Sequence, residues 1–464
     1  MKQQSLGHGS SGVRLGLPLL AVAVAALAFL GWAGSRQGAA PTITIETERP
    51  AIGKSTKITV RFAEPAGGLG AVRLDVVQGE RTLALVEKAF PRAGAFNPLR
   101  GRITPETTLE VVAGSTVQDS LTEGEVVVRA TADRMAGFLR SHAPVVVERR
   151  IPVRLRPPAL EVFSKQHYIR EGGSGAIRLR VGATTARSGV RAGAWETQSY
   201  AVPGAAAGER FALYAIPWDL ADYTQIVAFA EDDAGNRVER PFVDIFKASP
   251  PRRAVMDVSD AFLATVVPAI TSETPGLDTR GELVDQYVRI NSDLRRTNLA
   301  QIAGLAAASA ERFLWGGSFL QMPNTQLRAN FAEQREYLHK GKVIDHQTHL
   351  GLDLASLAHA PVPAANAGKV VFAGWLGIYG NAVIIDHGFG LMTLYGHLSS
   401  TAAKPGDSVT RGQTIGSSGA TGLAGGDHLH FEVFLQGRSV NPIEWLDEHW
   451  IRDAIATKIP VPQR

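Results

Sequence analysis

His428 and His430 stand one residue apart in "GDHLHFEVF", residues 426 to 434, where Phe431, Val433 and Phe434 otherwise give the composition of a buried strand. Side chains two apart on a strand share a face, so both imidazoles point the same way. In "HLGLD", His349 and Asp353 are also an even number apart and converge if "GLDLA" is extended. "YGHL" adds His397. Taken singly, each piece is an ordinary polar pattern: a His-x-His is commonly two plain polar residues, His349 with Asp353 can be a hydrogen-bonded pair, and one "YGH" decides nothing. "DHGFG", with Asp386 and His387, reads as a hairpin turn, while His339, His346, His359 and His449 lack matching partners. Taken together, the three pieces meet the needs of a metal-assisted hydrolase: N or O ligands, an open position for water, and a nearby proton shuttle.

Composition narrows the chemistry. The chain has no cysteine, which excludes disulfides, thiolate-bound zinc and thiol nucleophiles, so any metal is held by histidine and carboxylate. Nine of the twelve histidines fall between His339 and His449, which places the chemistry in the C-terminal part. The net charge of +4, from 48 basic and 44 acidic residues, is too even for a nucleic-acid footprint, and no nucleic-acid partner is expected. "GSSGATGLAGG", from Gly416, lacks the Gly-Lys-Ser/Thr of a phosphate loop.

The elements that must position these residues belong to a multidomain, mainly β chain. At 464 residues, 45% hydrophobic and 20% charged, the chain is globular and too long for one ordinary core. Lys2 and Arg14 precede "LGLPLLAVAVAALAFLGWAG", Leu15 to Gly34, an apolar run of about 20 residues that suffices for one transmembrane helix. The reading is residues 1–40 as cytoplasmic N-terminus and signal anchor. The bulk then lies outside the cytoplasm, beyond a membrane crossed once. Cleavage near Gly38 to Ala40 would give a secreted chain instead. Period-two alternation (Ile43, Ile45; Ile58, Val60, Phe62; Val72, Leu74, Val76) predicts a β-sandwich over 41–156. A second unit over 157–248, with Ile177, Leu179, Val181 and the hairpin "AEDDAGNRVE", reads as an immunoglobulin-like sandwich. Leu283, Tyr287, Ile290 and Leu294, spaced 4, 3, 4, predict an amphipathic helix in a connector over 249–314, which serves as spacer, active-site cover or partner-binding face. Gly-rich β signals then fill 315–450, followed by a tail, 451–464.

From Phe319 to Ile443, about a quarter of the chain, the phrases "HLGLDLA", "PVPAANAGKVVFAGW", "YGNAVIIDHGFGLMTLYGHLS", "KPGDSVTRGQTIGSSGATG", "GGDHLHFEV" and "VNP" follow in order. This region resembles the lysostaphin/LytM-type zinc metallopeptidases, which cut peptide bonds in bacterial peptidoglycan. The resemblance implies a LytM-type β-sheet peptidase domain holding one zinc ion through His349, Asp353 and His430. It further implies His428 beside the metal's water as general base and acid, and His397 opposite, helping to bind and polarise the scissile group. "RANFAEQREYLHKGKVIDHQTHLG" aligns loosely with the family's Ser-x-Phe-Gly-x-Arg: Phe331 fits, Ala332 replaces the glycine, and Arg335 comes one position late. Arg335 and Tyr337 are the candidate substrate contacts. Asp427 stands where relatives often carry a small residue or proline, and either orients His428 or sits in solvent.

The function so implied is a zinc-dependent endopeptidase acting on peptidoglycan cross-links or stem peptides. The alternative is a catalytically inactive LytM-like scaffold that activates a cell-wall amidase. Such a relative is expected to lose metal ligands, and here all five positions are filled. Peptidoglycan, the membrane through the N-terminal helix, and a cell-wall or divisome protein docking on the sandwiches or the connector are the partners expected.

Overall fold

In the computed structural model, residues 16–35, 40–65, 67–90, 104–135, 143–220 and 222–462 are described. Helix α1 covers Gly16–Ser35 and is described with its side chains from Leu20 to Phe29. Among the described residues no helix is long and apolar enough to cross a membrane, so the transmembrane helix read from the sequence finds no support in the structure. Lys2, Arg14, Arg36 and the candidate cleavage position at Gly38 lie outside the described residues.

The chain forms two compact units: one ends at Pro157 and takes in Asp233–Asn236, the other comprises Pro158–Asp232 and the residues from Arg237 on. In the first, alternation in Thr56–Ala63 and Leu69–Gln78 buries Ile58, Val60 and Phe62, and Val72, Leu74 and Val76. A three-stranded and a four-stranded antiparallel sheet close over this core.

In the second unit, Ile177, Leu179, Ala228 and Ala230 fill the space between two four-stranded sheets. The strand Glu209–Ala215 is buried on both faces. Ala212 and Tyr214 point into that core, whereas Phe211, Leu213 and Ala215 join the core of the C-terminal sheet. Phe211 meets Phe313 and Phe389 at ring-centroid distances of 5.6 and 4.9 Å. The second β region therefore packs directly on the C-terminal sheet.

Ser259 caps α2 (Asp260–Glu273) by accepting from the backbone N–H of Phe262. Helix α3 (Leu283–Arg289) continues through a π turn, Ile290–Leu294, into α4 (Arg295–Ala306). The 4, 3, 4 spacing buries Tyr287, Ile290 and Leu294, while Leu283 is left 38% exposed at the helix start. These helices pack on one face of the C-terminal sheet, against Ile384, Met392, Leu394 and Phe434.

That sheet has eight strands, in the order Gln326–Ala329, Leu352–Ala355, Leu429–Leu435, Leu391–Leu398, Asn381–Gly388, Gly368–Trp375 and Ser408–Val409, with Arg438–Val440 paired to Leu429–Leu435. A separate three-stranded sheet (Arg252–Asp257, Glu333–His339, Lys342–His349) brings His349 to its edge. His387 lies within the strand Asn381–Gly388 and not in a turn: its ring is fully buried, with Nδ1 donating to the Ala367 carbonyl at 2.7 Å.

Candidate active site

His430 sits on the strand Leu429–Leu435, flanked by Leu352–Ala355 and Leu391–Leu398. The register sets Asp353 directly across from it on one side and Gly396 on the other. A strand pair of this kind holds side chains of one face within about 5 Å, so Asp353 and His430 meet without any loop. His349 enters from the end of Lys342–His349. Gly351 is obligatory between them, because a Cβ there would lie 2.6 Å from the His430 ring.

His397 follows Gly396, and plain alternation would aim it at the opposite face. Its φ of 62° is left-handed, a conformation that costs a non-glycine residue about 1–3 kcal/mol and gathers at functional sites. The turn swings the imidazole to within 4.8 Å of the His428 ring and 5.7 Å of the His430 ring.

His349 Nε2, Asp353 Oδ1 and His430 Nδ1 converge at mutual distances of 2.9, 3.1 and 3.0 Å. All three residues are buried, and among the described residues they are the group able to hold a metal ion. Partners fix which ring nitrogen carries hydrogen, since a carbonyl can only accept. His349 Nδ1 donates to Asn330 O at 2.9 Å, His397 Nδ1 to Thr421 O at 2.8 Å and His428 Nδ1 to Gly426 O at 2.8 Å. His430 Nε2 donates to the Glu432 carboxylate at 3.3 Å. Tied in this way through one nitrogen, each imidazole in its neutral form turns the lone pair of the other inward.

A family description, peptidase family M23, matches residues 347–442. These residues form an M23 peptidase domain of the lysostaphin/LytM type. The DD-carboxypeptidase/endopeptidase Mpg of Neisseria meningitidis is 44% identical over 95 residues, 20% of this chain and 22% of that protein. The murein hydrolase activator EnvC of Escherichia coli is 38% identical over 96 residues, 21% of this chain and 23% of that protein. The chain thus spans about a fifth of the length of these curated relatives. The catalytic domain of the antimicrobial peptidase lysostaphin from Staphylococcus simulans is 28% identical, with 31% of this chain and 96% of that chain covered and a TM-score of 0.21.

Electrostatics in the M23 domain follow from burial of these groups. Burial lowers His349 and His397 from the ordinary imidazole range, His397 further through His428 and His430 beside it. For Asp353, burial alone would raise the carboxyl, but the facing His349, His428 and His430 hold it well below its ordinary range. Burial would likewise lower His430, yet hydrogen bonds to Asp353 and Glu432 outweigh it and push the ring up to about 9. A positive charge is demanded at this point, and a proton or a metal cation answers the demand.

The remaining candidates take different places. Arg335 pairs with Glu333 and donates through Nη2 to Asp353 Oδ2 at 3.1 Å, so it holds a cluster residue. Tyr337 is buried against Tyr287, with ring centroids 6.1 Å apart, and lines the cleft. Asp427 accepts from Ser418 Oγ at 2.6 Å and from the His359 backbone N–H at 3.0 Å, tying the loop. Ala332 takes a φ of 59°, the reason a glycine suits that position. Glu432 and Tyr379 are functional neighbours that the sequence reading passed over. Glu432 lies two residues after His430 on the same strand face, a signal of the same kind as the His pair. A cleft of about 790 Å³ opens beside the cluster, lined by both His397 and His428.

Proposed function

We propose that this chain is a zinc-dependent endopeptidase that hydrolyses peptide bonds of peptidoglycan. The convergence of His349 Nε2, Asp353 Oδ1 and His430 Nδ1 carries the reading. Three electron-pair donors 3 Å apart repel one another unless a cation lies among them, and two imidazoles with one carboxylate suit zinc. His349, Asp353 and His430 would hold it. When bound, zinc supplies Lewis acidity to the scissile carbonyl and a water pKa near 7.

This chain's own residues then handle the proton. His428 keeps Nδ1 on Gly426 O and turns Nε2 to the cleft, 3.5 Å from Asp353 Oδ1. From there it accepts a proton from the attacking water and delivers it to the leaving amine. His397, tied through Nδ1 to Thr421, offers Nε2 as an acceptor that orients the attacking water. Export fits this substrate, since the apolar run Leu15 to Gly34 has the length of a signal or an anchor.

The test is muropeptide release from purified sacculi. His430→Ala and Asp353→Ala should abolish release and zinc retention while the fold persists; undiminished release in both would refute the reading. A second reading, activation of a cell-wall amidase, draws on the similarity to EnvC. It requires that the wild-type chain release nothing alone yet accelerate an added amidase.

A further inference from the structure

The cleft beside the histidines has a wall that the M23 sheet does not supply. Phe262 of α2, Tyr287 of α3, Asn291 of the π turn and Arg295 of α4 face it. Arg295 is half-buried. Its Nε and Nη2 donate to the backbone and side-chain oxygens of Asn291 at 2.9 and 2.6 Å. Asn291 has no exposed surface and donates onward to Asp345 Oδ2 at 2.8 Å. The guanidinium is therefore held rigidly, yet among the described residues only these neutral oxygens accept from it. A guanidinium has five N–H donors, so three remain for a ligand, enough for the two-pronged grip on a carboxylate.

Among the described residues none of the acids of the cleft forms an ion pair with this cation. Glu333 and Asp353 are engaged with Arg335, and Asp427 with Ser418 and His359, while Asp257 is exposed. Arg328 adds a second, exposed guanidinium to the same cleft. The π turn is an independent sign, because an inserted residue in a helix costs backbone bonding and such turns occur frequently at functional sites. Here it ends where Arg295 begins. Phe262 and Tyr287 offer apolar surface for the aliphatic part of a ligand.

We propose that Arg295 binds a carboxylate of the substrate beside the scissile bond, so that the chain selects peptides with a free carboxylate there over their amidated counterparts. The proposal rests on the peptidase reading above and makes the helical segment part of the substrate site.

The experiment uses the zinc-loaded full chain and two synthetic cross-linked stem peptides, identical except that the carboxylate flanking the scissile amide is free in one and amidated in the other. Wild type should favour the free acid in kcat/KM by at least about tenfold, the worth of one charged hydrogen-bonded contact. In Arg295→Gln the ratio should fall to near one, and Arg295→Lys should keep part of it. Equal use of both peptides by wild type, or a parallel fall with the ratio kept in Arg295→Gln, would overturn the proposal. Calorimetric binding of the same peptides to the His428→Ala chain separates the two readings. A preference for the free acid that Arg295→Gln removes supports the carboxylate site even if wild type cleaves neither peptide, an outcome that refutes only the peptidase reading. Equal binding refutes the site itself.

Discussion

Glu432 accepts a hydrogen bond from His430 Nε2 at 3.3 Å while having no exposed surface of its own. The hydroxyls of Tyr379 and Ser439 also donate to it, at 3.1 and 2.5 Å. Three donors offset the cost of a carboxylate buried under a sheet, and the bond to His430 fixes which nitrogen of that ring faces Asp353. A residue placed behind a metal ligand in this way sets its orientation and basicity, and losing it typically weakens metal binding by 10–100-fold.

Glu432→Gln should therefore lower zinc affinity by roughly that 10–100-fold factor, measured by competition with a chelator. Tyr379→Phe, which removes one of three donors to the same carboxylate, should lower it by a smaller factor. An unchanged zinc affinity in Glu432→Gln would show that His430 needs no support from behind.

Arg335 links Glu333 to the far oxygen of Asp353 in a largely buried position. Arg335→Met removes the cation and leaves two carboxylates facing each other with poor solvation. Breaking a buried pair in this way costs roughly 3 kcal/mol or more, which urea denaturation of the metal-free protein should show. A loss below about 1 kcal/mol would mean that the pair behaves as a solvent-screened surface bridge.

The histidine pair was legible because a strand repeats every two residues, and the same rule, carried two residues further, reaches Glu432. His397 was legible only through family resemblance, since alternation along Leu391–Leu398 points it away and a left-handed backbone at that residue restores it. Arg295 was not legible: the 4, 3, 4 spacing announces a helix, but a π turn shifts the face that follows, and only tertiary packing decides what α4 presents to the cleft. The two-sided burial of Glu209–Ala215 was hidden for a related reason. Its run of apolar residues fits a strand with one covered face as well as one with two.

Glu444 is buried, with the backbone N–H and hydroxyl of Ser174 donating to it at 2.8 and 3.1 Å, and burial pushes its carboxyl up to about 7 from 4.5. Because the folded value is raised, the folded protein holds the proton between pH 4.5 and 7 and the unfolded chain does not. The stability this group confers is complete below the unfolded value and is lost as pH rises through the folded one. His387, lowered to about 4 by burial, runs in the opposite sense, but it is present in both proteins compared and cancels. Relative to Glu444→Gln, wild type should lose about 3 kcal/mol of stability from pH 4.5 to above 7, as read by denaturation at each pH. Parallel pH profiles for the two proteins would rule the coupling out.

Phe211 joins two β layers that the sequence separates by more than a hundred residues. Its ring contacts Tyr200, Phe313 and Phe389 at 6.1, 5.6 and 4.9 Å, and none of it is exposed. Phe211→Ala leaves a cavity at that junction and should cost about 3–5 kcal/mol. Because the core is shared, the loss should register in both layers. Hydrogen exchange in Ser174–Val181 and in Leu429–Leu435 should report the same opening free energy in wild type, reduced by the same amount in the variant. A reduction confined to Ser174–Val181 would show that the M23 sheet opens on its own, and that the second β region is cargo on a self-sufficient peptidase domain.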